Sequence, residues 1–439
     1  MKSPTVALTT LGCKVNQFES ASFISAFEEA GCTMVPFSGP ADIYVINTCA
    51  VTGRAGQQSR QMVRRAMRAN PEARIVVTGC YAQVAGEALL EITDNPITII
   101  GNGNKDRLVE TALADNPPDL VMLTGDIGRK KEICNLPVQR FSGRTRCYLR
   151  IQDGCNNFCS YCIVPYSRGR SRSLPIEEVR EQTRTFVKEG YREMVITGIN
   201  VGKYGLDLAE NHTIYTLLAS LCRDFPELRI RLSSVEPTEV NGDLLDIMAD
   251  HPNFMPHLHI PLQSGDDHIL ARMNRRYTAE VFVRTIERVV SRFPHAAIGC
   301  DVLAGFPGED DTAAENTHRL LAGLPISYLH VFPYSRRPGT LAASFPDQIH
   351  GSIKDERVRR LRELDSDKRL RFYQRHVGHS QRVLVERRNR KTGLLQGFSE
   401  NYIPIQFAGP GRLIHRVVQV RIEHIEDGQP RAMLEDDDA

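Results

Sequence analysis

The chain has 439 residues, 41% hydrophobic and 25% charged, which excludes a disordered polymer and leaves room for two or three globular domains. A formal net charge of +2 says nothing about partners by itself, so any nucleic-acid argument must rest on local charge. No apolar run reaches membrane-spanning length, and MKSPTVALTT lacks the long apolar core of a secretory signal; a cytoplasmic protein without membrane attachment is expected. Thiols stay reduced in that compartment, so the eleven cysteines read as metal ligands, core residues or catalysts rather than disulfides.

In chain order, apolar runs at residues 6–8, 43–46, 75–77, 97–100 and 120–123 alternate with helical patterns. NQFESASFISAFEEAG sets Phe18, Phe23, Phe27 and Ala30 near one face and stops at Gly31; RAGQQSRQMVRRAMRANP is a basic helix ended before Pro71. The alternation predicts βαβ units on a parallel sheet, an α/β domain over residues 1–126. A charged, aperiodic linker follows over 127–143. Residues 144–351 alternate again, with strands expected in CYLRIQ, EMVITG, RIRLSS, HLHIPL, AIGCDVLAGF and YLHVFPY. Six such βα units suit a partial (β/α) barrel better than an open sheet. An Arg-rich connecting helix is expected over 352–377. Residues 378–439 then form a small all-β barrel from RVLVE, YIPIQF and RVVQVRIEHI, ending in the acidic EDDDA, read as a solvated tail.

Cys13, Cys49 and Cys80 each close one of the first three long apolar runs of the N-terminal domain. Parallel α/β sheets bind ligands at the carboxyl ends of their strands, so successive units gather three thiols at one edge. One such cysteine alone reads as a buried structural residue; three in equivalent places read as a shared metal site, iron–sulfur or zinc. DGCNNFCSYC adds Cys155, Cys159 and Cys162, whose spacing lets one loop wrap three thiolates around a compact centre. Four cysteines would close a [4Fe–4S] cluster, and three leave one iron open to an outside ligand. The competing zinc knuckle lacks a nearby fourth Cys or His. Cys32, Cys134, Cys147, Cys222 and Cys300 have no partner pattern and read as structural.

The C-x-x-x-C-x-x-C loop, with Tyr161 before its last cysteine, resembles that of the radical S-adenosylmethionine enzymes. With TLGCKVNQFES, INTCAVT, TGCYAQ, HLHIPLQSG and DVLAGFPGE beside it, nearly the whole chain resembles the methylthiotransferase family. The resemblance implies two [4Fe–4S] clusters: one on Cys155, Cys159 and Cys162 that binds S-adenosylmethionine and yields a 5′-deoxyadenosyl radical, and an auxiliary one on Cys13, Cys49 and Cys80 that carries the sulfur to be inserted. It further implies S-adenosylmethionine contacts at Tyr161, Gly198, Asn200, Ser234 and Gln263. An electron donor such as flavodoxin or ferredoxin and a sulfur source are implied partners.

Around the C-terminal barrel, Arg387, Arg388, Arg390, Lys391, Arg412 and Arg416 face only Glu386 and Glu400, with Tyr402 and Phe407 interleaved. Local basic excess with exposed aromatics suits RNA, and the domain resembles the TRAM module of RNA-modifying enzymes. Arg357, Arg359, Arg360 and Arg362 on the connecting helix read instead as a solvated face laced with ion pairs. Of three family branches, TLGCKVN, NTCAVT and IQDGCNNFCSYC look most like the one acting at carbon 2 of N6-threonylcarbamoyladenosine in the anticodon stem–loop of tRNA. The isopentenyladenosine and ribosomal-protein aspartate branches are the alternatives. An RNA-binding protein with structural zinc is the alternative from another class.

Overall fold

IYVINT forms the strand β3 (Ile43–Thr48), every residue of it buried, because a continuous apolar run can be covered on both faces. It lies inside a six-stranded sheet with β1 (Thr5–Thr10), β2 (Thr33–Val35), β4 (Arg74–Gly79), β5 (Ile97–Ile100) and β6 (Val121–Leu123), in the order β2-β1-β3-β4-β5-β6 and parallel throughout. The computed structural model describes residues 3–92, 96–115, 121–209 and 212–435. Leu120 and the tail beyond Glu435 therefore lie outside the described residues. β2 is an addition to the sequence reading: three residues at a sheet edge carry no measurable period. The helices α1 (Lys14–Glu29), α2 (Gly53–Ala69) and α3 (Cys80–Val84) follow β1, β3 and β4.

Six further strands make an open barrel of two parallel three-stranded sheets. Cys147–Arg150, Glu193–Thr197 and Arg229–Leu232 form one; His257–His259, Ala297–Ala304 and Tyr328–Pro333 form the other, joined to the first by a bridge between Ile230 and Phe254. Leu149, Met194, Ile230, Leu258, Cys300 and Leu329 point outward into the main core. Strand alternation turns Glu193, Arg231, His257, His259, Asp301 and Tyr328 inward, so the barrel interior is polar. α1 packs across the first barrel strand, and the long helix Gly351–Gln374 along the last.

Beyond it, Ser380–Arg388, Leu395–Ser399, Pro404–Phe407, Val417–Glu426 and Gln429–Leu434 close a five-stranded barrel. Leu395–Ser399 and Gln429–Leu434 escaped the sequence reading because Gly397 and Pro430 break their patterns. Two expectations are corrected here. Phe407 is 1% exposed, part of the small barrel's core, and Tyr402 is turned toward the large barrel, so neither offers an exposed stacking face. The Tyr402 ring lies 4.6 Å from His257 and 4.7 Å from Phe398, under the guanidiniums of Arg146 and Arg231. Arg231 fixes the junction by donating to the carbonyls of Ser399 (2.7 Å) and Glu400 (2.6 Å). On the connecting helix Arg357 is buried against Glu309 and Asp311, whereas Arg359 makes the expected surface pairs with Glu356 and Glu363. Among the described residues no helix is long and apolar enough to cross a membrane.

Candidate active site at the seam of two cysteine triads

Cys13 is the N-cap of α1, Cys49 directly follows β3 and Cys80 opens α3. Since β1, β3 and β4 are neighbours in the sheet, the three thiols meet at one edge. Gly12 (φ +99°) presses on Cys49 so closely that a Cβ there would lie 2.8 Å from the Cys49 Cβ and 2.9 Å from its sulfur. The Asn16 amide donates to the carbonyls of Leu11 (2.8 Å) and Thr48 (2.9 Å), tying the Cys13 turn to the end of β3. Burial pushes the Cys49 thiol up to about 12 and raises that of Cys13.

Cys155, Cys159 and Cys162 sit beyond the first barrel strand, on a loop whose Phe158 takes φ +47° and whose Asn157 and Phe158 carbonyls accept from the Asn274 amide at 3.2 and 3.0 Å. Three donors point at its sulfurs: the Asn157 N–H at 3.4 Å and the Asn200 amide at 3.9 Å toward Cys155, and the Arg275 guanidinium at 3.4 Å toward Cys159. Burial raises the Cys155 thiol and lifts Cys162 to about 12. Three converging thiols supplied with N–H donors fit a thiolate-bound metal cluster, whose cation would reverse the upward shifts of Cys155 and Cys162. The first triad fits as well, with the Asn102 amide 3.8 Å from the Cys80 sulfur.

Of the residues the resemblance nominates for S-adenosylmethionine, three join this loop. Asn200 reaches Cys155; Gly198 packs on Gln152, whose side-chain Oε1 accepts from the N–H of Ile199 (2.9 Å) and Asn200 (2.8 Å). Tyr161 is half-buried, and burial of its hydroxyl raises it well above the usual range against the Arg275 charge. Ser234 is exposed, two residues from Glu236, and Gln263 bridges to Val302 with φ +69°; neither hydrogen-bonds a triad side chain among the described residues. Arg275, paired with Glu236 and with Tyr277, escaped the sequence reading because RRY follows an ordinary helix and carries no motif.

The two triads share one seam. The helix Val164–Arg168, starting two residues after Cys162, packs on α3, and Ile163 lies in the N-terminal core with Cys80 and Tyr81. Asn102 spans the seam, its amide reaching both the Cys80 sulfur and the Ser167 carbonyl (2.6 Å). Arg168, fully buried, donates to Glu19 (2.9 Å), Asp153 (2.9 Å) and Asn16 (2.6 Å). Lys105 pairs with Glu19, and Arg150 lies 3.7 Å from Glu19 and 3.8 Å from Asp153. Burial opposes ionisation of both carboxyls, but the cations outweigh it: Arg168, Lys105 and Arg150 hold Glu19, and Arg168, Arg150 and Arg172 hold Asp153, below the usual carboxylate range. Deeper in the barrel, the Tyr328 hydroxyl bridges His257 (2.8 Å) and His259 (3.3 Å), and Asp301 bonds His259 (2.9 Å) and His330 (3.4 Å).

Residues 5–101 match the model described as "Uncharacterized protein family UPF0004" and residues 149–321 that of the "Radical SAM superfamily". The chain is 38% identical to the threonylcarbamoyladenosine tRNA methylthiotransferase MtaB of Aquifex aeolicus (strain VF5), over 92% of this chain and 97% of the relative. It is 36% identical to the protein of that name from Bacillus subtilis (strain 168), over 95% and 93%. A tRNA-2-methylthio-N(6)-dimethylallyladenosine synthase of Pelotomaculum thermopropionicum is 34% identical, over 94% of each. The radical S-adenosylmethionine methyltransferase TsrM from Kitasatospora setae shares the fold with a TM-score of 0.56 at 17% identity, covering 78% of this chain and 77% of that one. A barrel of this kind with the three-cysteine loop at the end of its first strand defines a radical S-adenosylmethionine enzyme, a class that works with S-adenosylmethionine and a [4Fe–4S] cluster. Within that class the chain belongs to the methylthiotransferase family.

Glu19 gives the seam a defined pH response. With its folded-state pKa depressed from an unfolded value of about 4.3, its contribution to stability is complete above that value and is lost as pH falls toward the folded one. Glu19→Gln strands Lys105 and leaves Arg168 only Asp153 and Asn16, and is expected to cost about 3–5 kcal/mol at neutral pH. Thermal melts of wild type and variant should converge as pH drops below about 4. A constant gap across that range would mean that Glu19 acts through packing alone.

Proposed function

We propose that this enzyme inserts a methylthio group at carbon 2 of N6-threonylcarbamoyladenosine, beside the anticodon of tRNA. The observation that carries the reading is the placement of two thiol triads on one seam at the mouth of a polar barrel. Cys155, Cys159 and Cys162 hold the cluster that binds S-adenosylmethionine, and Cys13, Cys49 and Cys80 hold a second, sulfur-bearing cluster. When bound, these groups supply a methyl group, the inserted sulfur and a carbon radical that takes hydrogen from the base. The protein's own part is positional. Arg275 and Asn200 hold the sulfurs of the barrel loop, Asn102 and Arg168 set one triad against the other, and Tyr161, Gly198 and Asn200 lie where the cofactor would meet the protein; Ser234 and Gln263 are the more distant contacts. An external electron donor, a sulfur source and a cytoplasmic location complete the proposal.

Lys14 supports the threonylcarbamoyl branch. It follows Cys13 and precedes Phe18 by one helical turn, on the α1 face where the Phe18 ring lies 5.6 Å from the Arg150 guanidinium of the barrel. Burial, with Arg146 and Arg231 nearby, lowers its pKa against the pull of Tyr402 and Asp301, so an anion beside it would favour its charged form. A cation beside the sulfur-bearing triad suits a base that carries a carboxylate, and gives an isopentenyl group nothing to bind.

Mass spectrometry of tRNA nucleosides from a host lacking the activity, with and without this gene, tests the product. Methylthio-threonylcarbamoyladenosine is expected; the isopentenyl analogue would move the chain to the other tRNA branch. Anaerobically purified protein should carry about eight irons and no stoichiometric zinc. Cys159→Ala should abolish S-adenosylmethionine cleavage, while Cys49→Ala should keep cleavage and stop sulfur insertion. A Cys49→Ala enzyme forming product at the normal rate would falsify the role given to the N-terminal triad.

Lys14→Gln should lower kcat/KM on the threonylcarbamoyl substrate about 10- to 100-fold, the worth of one charge-assisted hydrogen bond. Binding supplies a second readout: the variant should lose wild type's preference for a threonylcarbamoylated stem–loop over an unmodified one. An unchanged preference would remove Lys14 from recognition.

A further inference from the structure

Five side chains form one hydrogen-bonded row across the second sheet of the large barrel. The Tyr328 hydroxyl lies 2.8 Å from Nε2 of His257 and 3.3 Å from Nδ1 of His259; Asp301 lies 2.9 Å from Nε2 of His259 and 3.4 Å from Nδ1 of His330. The single carboxylate sets the order of protons along the row. Burial opposes its ionisation, but hydrogen bonds from His259 and His330 outweigh it and hold Asp301 below the usual carboxylate range, so it only accepts. His259 and His330 therefore donate to it, through Nε2 and Nδ1. A neutral imidazole has one N–H, which leaves the other nitrogen of each ring bare. Bare Nδ1 of His259 takes the proton of Tyr328, whose hydroxyl burial keeps protonated, and the Tyr328 oxygen accepts from Nε2 of His257. The inner end of the row stops at Nδ1 of His257, buried without a hydrogen-bond partner among the described residues. The outer end is open. Nε2 of His330 is a bare acceptor on a side chain that is 49% exposed, and Tyr328–Pro333, which carries it, is the last strand of its sheet.

We propose that His330 is a specificity-determining residue whose Nε2 accepts a hydrogen bond from the hydroxyl of the threonyl group on the target base. The inference rests on the threonylcarbamoyl reading above and adds a second contact to it. In threonine the carboxylate and the hydroxyl sit on neighbouring carbons, so the acceptor for one must stand near the cation for the other. Asp301 supplies that nearness, since it pairs with His330 and is within electrostatic reach of Lys14. The acceptor must also be neutral. A free carboxylate would repel the threonyl carboxylate, whereas the charge of Asp301 is engaged by two imidazoles and a neutral ring nitrogen is what the row presents. A base without the hydroxyl would leave this acceptor covered and unpaired, and that penalty makes such a contact selective.

The test is equilibrium binding of three anticodon stem–loops to the full-length, cluster-loaded enzyme: threonylcarbamoylated, valylcarbamoylated and unmodified. Valine has the shape of threonine with a methyl group in place of the hydroxyl, so it keeps the carboxylate and removes only the donor. Wild type should bind the threonyl form about 10-fold more tightly than the valyl form, the worth of one hydrogen bond. His330→Ala should bring the two to one affinity, and His330→Gln, which keeps an acceptor oxygen, should restore part of the difference. Asp301→Asn, which no longer fixes the His330 proton, should narrow the difference as well; should it fail to fold, the exposed His330 decides. An equal loss on both modified stem–loops in His330→Ala would mean a merely structural role and overturn the assignment. So would a wild type that binds the threonyl and valyl forms alike while still preferring both to the unmodified one, an outcome that leaves the threonylcarbamoyl reading standing. Equal binding of all three by wild type would count against that reading itself.

Discussion

The relative position of the two cysteine triads depends on one buried guanidinium. Arg168 comes from the barrel side of the seam, and its donors are taken by Asp153 from its own side and by Glu19 and Asn16 from α1. Because Cys13 is the N-cap of that same helix, and Cys162 lies just before the helix that ends in Arg168, a shift of either domain would break bonds the interior cannot replace. Apolar packing alone would allow sliding. A planar fork shared between two carboxylates fixes both distance and orientation.

Charge counting at this seam also explains its polarity. Lys105, Arg150, Arg168 and Arg172 surround two carboxylates, Glu19 and Asp153, so cations outnumber anions four to two where Cys13 and Cys80 feel the Arg168 charge. Such an excess stabilises thiolates bound to a cluster, against the burial that raises the Cys13 and Cys49 thiols. The second seam repeats the imbalance: Arg146, Arg229 and Arg231 meet Glu193 and Glu386. By this count both junctions carry more cations than anions, the first of them beside the N-terminal thiols.

How much of this could be read in advance followed from how tightly chemistry constrains residue type. Metal-ligand chemistry favours thiols at the ends of adjacent strands or at fixed loop spacing, so the meeting of Cys13, Cys49 and Cys80 at one sheet edge, the shared loop of Cys155, Cys159 and Cys162, and the parallel sheet were legible. Fold class was legible for the same reason, since continuous apolar runs such as IYVINT belong in covered parallel strands. Asn200, beside the Cys155 sulfur, was named in advance, whereas other groups that position the thiols and their loops were not. Arg275, Asn102 and Asn274 reach their targets from distant elements, and no local pattern distinguishes them from surface arginines or turn asparagines. Tyr402 and Phe407 misled for a related reason: an alternating strand names two faces without saying which one meets another domain.

The polar seam is an inefficient way to stabilise a domain interface. Replacing a buried ion pair by well-packed apolar side chains is often neutral or stabilising, so stability alone does not account for Arg168 and its partners. What an apolar interface lacks is fixed dipoles and donors aimed at sulfur. Asn102 shows the difference, since one amide holds both the Cys80 sulfur and the Ser167 carbonyl and so fixes the first triad against the helix that begins beside the second. A leucine there would pack and leave both acceptors unpaired. Reaction between groups held by different domains needs their separation fixed to a fraction of an ångström. A buried hydrogen-bond network meets that need, because its members have few alternative partners within reach.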